Sequence, residues 1–94
     1  MSAGELKAWL NTPESQSVGW HHEGEEEAIG HQSGRRIIEI KRAGPANLGE
    51  DDRAHMRKTV AYIKRHLAQR PHQDVEHTRW RYSLMNWGHD PLRD

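Results

Sequence analysis

The stretch EDDRAHMRKTVAYIKRHLAQR, residues 50–70, decides the fold. Met56, Thr59, Val60, Ile63 and Leu67 recur at the three- and four-residue spacing of a single helical face. Leu48 can act as a hydrophobic staple, and Gly49 stands before an acidic first turn, Glu50-Asp51-Asp52, which suits the positive end of a helix. Arg70-Pro71 stops the run, because a residue before proline avoids helical backbone angles. The spacing therefore predicts a helix of about 21 residues, roughly 31 Å long.

Working outward, Ser2 and Glu5 have the spacing of a capping box, with Leu6, Trp9 and Leu10 as a short apolar stripe behind them. Thr12-Pro13 ends that helix, predicted over about 2–12, and residues 13–25 read as a long polar loop pinned by Val18 and Trp20. Ile29, Ser33, Ile37 and Ile40 share an arc that predicts a second helix over about 26–43, stopped by Gly44-Pro45. Glu25, Glu26 and Glu27 would lie at its positive end. Arg35 to Ile40 also fits a strand, but no second strand-like segment exists to pair with it. Gly30, Ser33 and Gly34 flank Ile37, so a backbone or a Trp ring can approach closely there. A last helix over about 76–87 places Trp80, Leu84 and Trp87 on its inner face, with Gly88 and Pro91 as the stop. The chain reads as one small domain, 1–94, an all-α compact bundle of about four helices.

Composition sets limits on this domain. Only 33% of the chain is hydrophobic, with no Phe, and four Trp offset some of the aliphatic shortage. No apolar run approaches the roughly 18–20 residues of a membrane helix. The opening MSAGELKAWL lacks the basic and apolar regions of a secretory signal, and without Cys there is no disulfide framework. An intracellular, cytoplasmic protein is the expectation.

Fourteen Lys and Arg balance fourteen Asp and Glu, yet the charge is unevenly placed. Residues 1–34 hold Lys7 against Glu5, Glu14, Glu23, Glu25, Glu26 and Glu27. Residues 53–81 hold Arg53, Arg57, Lys58, Lys64, Arg65, Arg70, Arg79 and Arg81 against Asp74 and Glu76. Such asymmetry suggests an anionic partner, or an acidic half that folds over a basic one and masks it.

Chemistry-bearing patterns are few. A helical pair of metal-binding histidines needs a spacing of three or four, and none of the eight His has it. His21-His22 could join only a distant ligand, and the adjacent Glu25, Glu26 and Glu27 point in different directions on a helix. Gly30-His31-Gln32-Ser33-Gly34 lacks the central serine and preceding strand of a nucleophile elbow. No phosphate-binding loop or dinucleotide fingerprint appears, so no enzyme, cofactor or metal site is expected.

Two surfaces remain. Arg53, Arg57 and Lys64 lie on one flank of the long helix beside Ala61 and Ala68, and Arg35 and Arg42 share a line with His31 on the helix before it. Long bases beside small side chains let a helix approach a phosphate backbone, which gives sequence-independent affinity. The other flank, His55, Tyr62 and His66, reads as a half-buried seam between helices. Arg79 and Arg81 could pack on Trp80 or make cation–π contacts with it. Arg79, Arg81, Tyr82, Asn86, His89 and Asp90 suggest a buried polar network closing the bundle, while Trp80, Trp87 and His89 are the candidates for a partner-binding end.

Gly30–Ile37, Ala54–Lys58, Arg65–Pro71 and above all Arg79–Pro91 resemble the domain-of-unknown-function 3140 family, short bacterial and some fungal proteins. The resemblance spans most of the chain. It implies a relationship to proteins sometimes labelled DNA-binding and carries no catalytic residue over. Gly49 departs from the Ser or Thr more usual there, which weakens the N-cap. The leading expectation is a DNA- or RNA-binding accessory protein using Arg35, Arg42, Arg53, Arg57 and Lys64. The alternative is a protein-interaction or self-association module without catalytic activity.

Overall fold

The computed structural model describes residues 1–19, 27–72 and 74–93. Trp20, His21, His22, Glu23, Glu25 and Glu26 lie outside the described residues. Among the described residues five α-helices follow one another: α1 Ala3–Leu10, α2 Pro13–Gln16, α3 Ile29–Ala43, α4 Glu50–Leu67 and α5 Arg79–Asn86, with a 3-10 turn at Pro45–Asn47. No strand occurs among the described residues, and the chain is a compact all-helical bundle with a radius of gyration of 13.2 Å.

Local chemistry accounts for most boundaries. Ser2 Oγ accepts from the Glu5 N–H at 3.1 Å while Glu5 Oε1 accepts from the Ser2 N–H at 2.9 Å, closing the capping box. Thr12-Pro13 ends α1 but does not open a loop. Thr12 Oγ1 accepts from the Ser15 N–H at 3.1 Å and Pro13 takes the first helical position, so the same dipeptide starts α2. That corrects the start of the loop expected over 13–25, at residues 13–16; residues 20–25 lie outside the described residues. The second predicted helix begins at Ile29 rather than near 26, and Glu27 lies before its N-cap Ala28. The Glu27 carboxylate is occupied instead by His31 and Arg35. Gly44 adopts φ +83° at the end of α3, and Gly49 caps α4, which ends at Leu67. At the end of α5, His89 N–H reaches the Leu84 carbonyl at 3.0 Å and Gly88 N–H the Met85 carbonyl at 2.9 Å. This is a Schellman closure, which needs the φ of +85° that Gly88 supplies.

The core lies where α1, α3 and α5 meet. Leu6, Leu10, Ile37 and Ile38 form one buried cluster, and Leu84, Trp80 and Trp87 are buried from the α5 side. Close approach depends on glycine. A Cβ at Gly34 would stand 2.5 Å from the Asn86 carbonyl oxygen and 2.9 Å from Leu10 Cδ2, and one at Gly30 would stand 3.1 Å from Trp87 Nε1. Asn86 is buried at this junction, its Oδ1 accepting from Trp9 Nε1 at 2.7 Å and Ser15 Oγ at 2.6 Å. Its Nδ2 donates to the Ser15 carbonyl at 3.1 Å, so one amide ties α1, α2 and α5 together.

The long helix is turned differently from its apolar pattern. No residue of α4 is buried; Met56 is 45% exposed, Val60 51% and Leu67 38%. The flank that packs holds His55, Thr59, Tyr62 and His66, all partly buried and each one residue before a member of the apolar face. One residue is 100° of helical rotation, so the two columns are neighbours, and the rings seat against Trp87 and Trp80.

Candidate functional site

The bases picked out in the sequence fall on two separate grooves. The first runs between α1 and α3, where Lys7 and Asn11 face His31, Arg35, Glu39 and Arg42. The two arginines lie seven residues apart, two helical turns, and so share one side of α3. His31 fixes the groove's wall, with its Nε2 2.7 Å from the Leu10 carbonyl and Nδ1 on Glu27. Glu27 also pairs with Arg35, so one acid of the N-terminal part does lie on a predicted base. Arg42 is exposed and makes no ion pair among the described residues.

The second groove lies along α4, where Arg57 and Lys64 line a shallow surface with Met56, Val60 and Ala61. Arg57 donates from Nη2 to Glu50 Oε1 at 2.9 Å, an exposed pair. Arg53 is exposed one turn before Arg57. Asp52 bonds Arg36 at 2.7 Å and accepts from the Gly49 N–H at 3.1 Å. The Gly49 bond first, and Arg36 second, hold its carboxyl below the usual range.

Sequence reasoning missed two contributors. Lys7 reaches the first groove because α1 crosses α3; its only sequence signal was position, one turn before the core residue Leu10. The exposed stripe of Met56 and Val60 continues into a groove with Ile37, Ile40, Lys41 and Gly88. The clue was an excess: α4 carries an apolar column and an aromatic column side by side, more than one contact face requires.

Trp80 and Trp87 lie in the core, so their ring faces are not open to a partner; His89 is half-buried. The rings stack along the α4–α5 seam. Trp87 stands 6.2 Å from His55 and 4.3 Å from Tyr62; His66 stands 5.1 Å from Tyr62 and 6.2 Å from Trp80. Trp80 Nε1 donates to the His66 carbonyl at 2.6 Å, and Arg70, rather than Arg79 or Arg81, stands over the Trp80 ring at 5.6 Å. Arg81 instead grips Asp90 with two 3.1 Å bonds, which hold the Asp90 carboxyl low. Burial pushes both His55 and His66 below their ordinary 6.5, Arg36 and Lys58 adding to the shift at His55, and burial raises Tyr62.

Among the described residues no group of three or more His, Asp or Glu could hold a metal ion, and no helix is long and apolar enough to cross a membrane. Compared with known proteins, residues 1–85 match the family described as "Protein of unknown function (DUF3140)". No curated protein and no solved structure matches the chain.

Proposed function

The chain belongs to the DUF3140 family, whose function is unknown, and we propose that this member is a small cytoplasmic accessory protein that binds DNA through its phosphates. The observation that carries the reading is the convergence of Lys7 from α1 with Arg35 and Arg42 from α3 around one groove. Arg53, Arg57 and Lys64 add a second basic edge along α4. The Arg57–Glu50 pair leaves both partners largely exposed. Such pairs contribute about 0–1 kcal/mol, so a phosphate can displace the carboxylate. Small Ala61 lets a backbone approach Arg57 and Lys64. Phosphate contacts of this kind give affinity without base readout.

A salt titration with a mixed-sequence duplex tests it. The logarithm of the binding constant falls with the logarithm of salt concentration at a slope of about −0.9 per phosphate neutralised. Arg42→Ala and Lys7→Ala each make that slope shallower by about 0.9. Absence of binding by the folded protein at about 50 mM salt overturns the reading. Tighter binding of single-stranded RNA than of the duplex overturns the choice of DNA. Because Leu6 and Leu10 of α1 are core residues, masking by the acidic part is tested with Glu27→Gln and not by deletion of the N-terminus.

A second reading, docking of another protein, is favoured by one observation: the apolar stripe of α4 is exposed.

A further inference from the structure

We infer that the cleft between the start of α3, the middle of α4 and the end of α5 binds the phosphate head of a small organic phosphomonoester. The site is separate from the proposed DNA surface and shares none of its bases.

The cleft encloses about 280 Å³, close to the lower end of small-molecule sites, which run from roughly 300 to 1,000 Å³. Its strongest feature is a buried donor with nothing to donate to. Trp87 is only 5% exposed, yet its indole N–H meets no acceptor among the described residues. A buried indole N–H ordinarily has a partner. Those of Trp9 and Trp80 do, in the Asn86 amide oxygen and the His66 carbonyl. Trp87 Nε1 is turned instead toward Gly30, 3.1 Å from where a Cβ would stand, and both residues line the cleft. Ile29 and Gly30 also open α3, and the N-cap Ala28 brings no side-chain acceptor to them. The first-turn N–H groups of that helix are therefore without a cap on the side that faces the cleft.

Lys58 and Arg65 supply the charge. They stand seven residues apart, two turns of α4, with Tyr62 between them on the same side. Each follows one of the proposed DNA contacts, Arg57 and Lys64, by one residue, and 100° of helical rotation separates the two pairs. Neither makes an ion pair among the described residues. No described carboxylate lines the cleft, and Glu27, just before α3, is held by His31 and Arg35. A carboxylate offers one charge and two oxygens to this set of donors. A phosphomonoester carries about −1.5 to −2 at pH 7 on three terminal oxygens, enough for both cations and the N–H groups together. A phosphodiester within a nucleic-acid strand has one charge, so the free monoester is the better match. Ile29 and Tyr62 give its organic part an apolar wall.

Calorimetric titration of the full chain with phenyl phosphate tests the assignment. One-to-one binding is expected, with a dissociation constant of about 1 mM or tighter. Lys58 and Arg65 are exposed, so Lys58→Gln and Arg65→Gln keep the fold, and each weakens binding by roughly tenfold or more. Inorganic phosphate, which lacks the organic part, and benzoate, which lacks the second charge, both bind more weakly. In the unaltered chain the Trp87 indole N–H resonance, identified by its loss in Trp87→Phe, shifts more than those of Trp9 and Trp80. No binding at about 10 mM phenyl phosphate overturns the proposal. So does a Trp87 resonance that stays in place, or binding indifferent to both charge-neutral variants. Equal affinity for benzoate overturns the phosphate head, and binding of a 5′-phosphorylated oligonucleotide alone overturns the small molecule. Arg42→Ala, which weakens the proposed DNA contact, leaves phenyl phosphate affinity unchanged, so failure of one reading is distinguishable from failure of the other.

Discussion

Leu84 of α5 has no exposed surface at all, whereas the 18 residues of α4 include not one that is buried. The body of α1, α2, α3 and α5 is held by interlocking aliphatic side chains, two glycine notches and the Asn86 amide. α4 is held along one flank by stacked rings, a serine–histidine bond from Ser33 to His55 at 2.8 Å and the Arg36–Asp52 pair. Interlocked cores fail as a unit, while an element resting on ring faces can open locally at lower free energy. Of the surfaces assigned to partners, the groove of Lys7, Arg35 and Arg42 lies on the body, and the basic edge and apolar stripe lie on the less securely held α4.

Truncation gives the largest contrast. Leu84→Ala empties a fully buried site and is expected to cost about 2–5 kcal/mol, whereas Val60→Ala, on an exposed position, changes stability by no more than about 0.5 kcal/mol. Urea midpoints at low protein concentration measure both. Equal costs would mean that the α4 stripe is covered in solution, and the contrast would break.

Gly34→Ala comes next. The added methyl meets a backbone carbonyl oxygen at 2.5 Å, which cannot swing aside as a flexible side chain would. Overpacking of about 1–3 kcal/mol exceeds or cancels the roughly 1 kcal/mol gained in helix propensity, so the variant is less stable. A more stable Gly34→Ala would show that α3 and α5 can separate and that the body is looser than its geometry.

These contrasts also show what the sequence made legible. Ser2 and Glu5, Gly88 and Pro91, and the Gly30–Gly34 notch each carry a single local meaning, and each acts as read. Thr12-Pro13 carries two, ending one helix and starting the next, and only the first was taken. On α4 the flank of His55, Tyr62 and His66 packs as the half-buried seam read there, its rings set against Trp80 and Trp87, while the aliphatic column one residue later, which the periodicity put forward, stays largely exposed. The acidic run was assigned to a helix end, but Glu27 is bound to His31 and Arg35 by side-chain geometry that spacing alone does not fix. Lys7 was missed because its groove depends on how α1 crosses α3.

Acid sharpens the comparison further. His55 and His66 have folded pKa values below 6.5, so the folded state binds their protons less readily than the unfolded chain does. Their contribution to stability is complete above 6.5 and is lost as pH falls through the folded values. Asp52 and Asp90, held below 3.8, fail only in more acidic solution. Amide exchange in α4 should therefore accelerate below pH 6.5 before exchange in α1 and α3 does, after correction for the intrinsic rate. Uniform acceleration would mean that the seam and the body open together.

The smallest effect isolates α4 without touching its packing. Gly49 stands at the N-cap with φ −87° and ψ 179°, extended angles open to any residue, and a Cβ there meets nothing within 4 Å. Its N–H already donates to Asp52 Oδ2 at 3.1 Å, half of a capping box. Gly49→Ser supplies the missing acceptor for an N–H of the first turn, while Ser2→Ala removes the corresponding one from α1. Serine in place of glycine at such a cap is worth a few tenths of a kcal/mol, and loss of Ser2 costs about 1 kcal/mol. In an element able to open locally, the gain from Gly49→Ser should appear as slower amide exchange confined to α4, with little change in the urea midpoint. The loss from Ser2→Ala should lower the midpoint itself, since α1 belongs to the unit that fails globally. If both variants moved only the midpoint, α4 would be as tightly coupled to the core as α1, and its exposed stripe would be a property of a rigid surface.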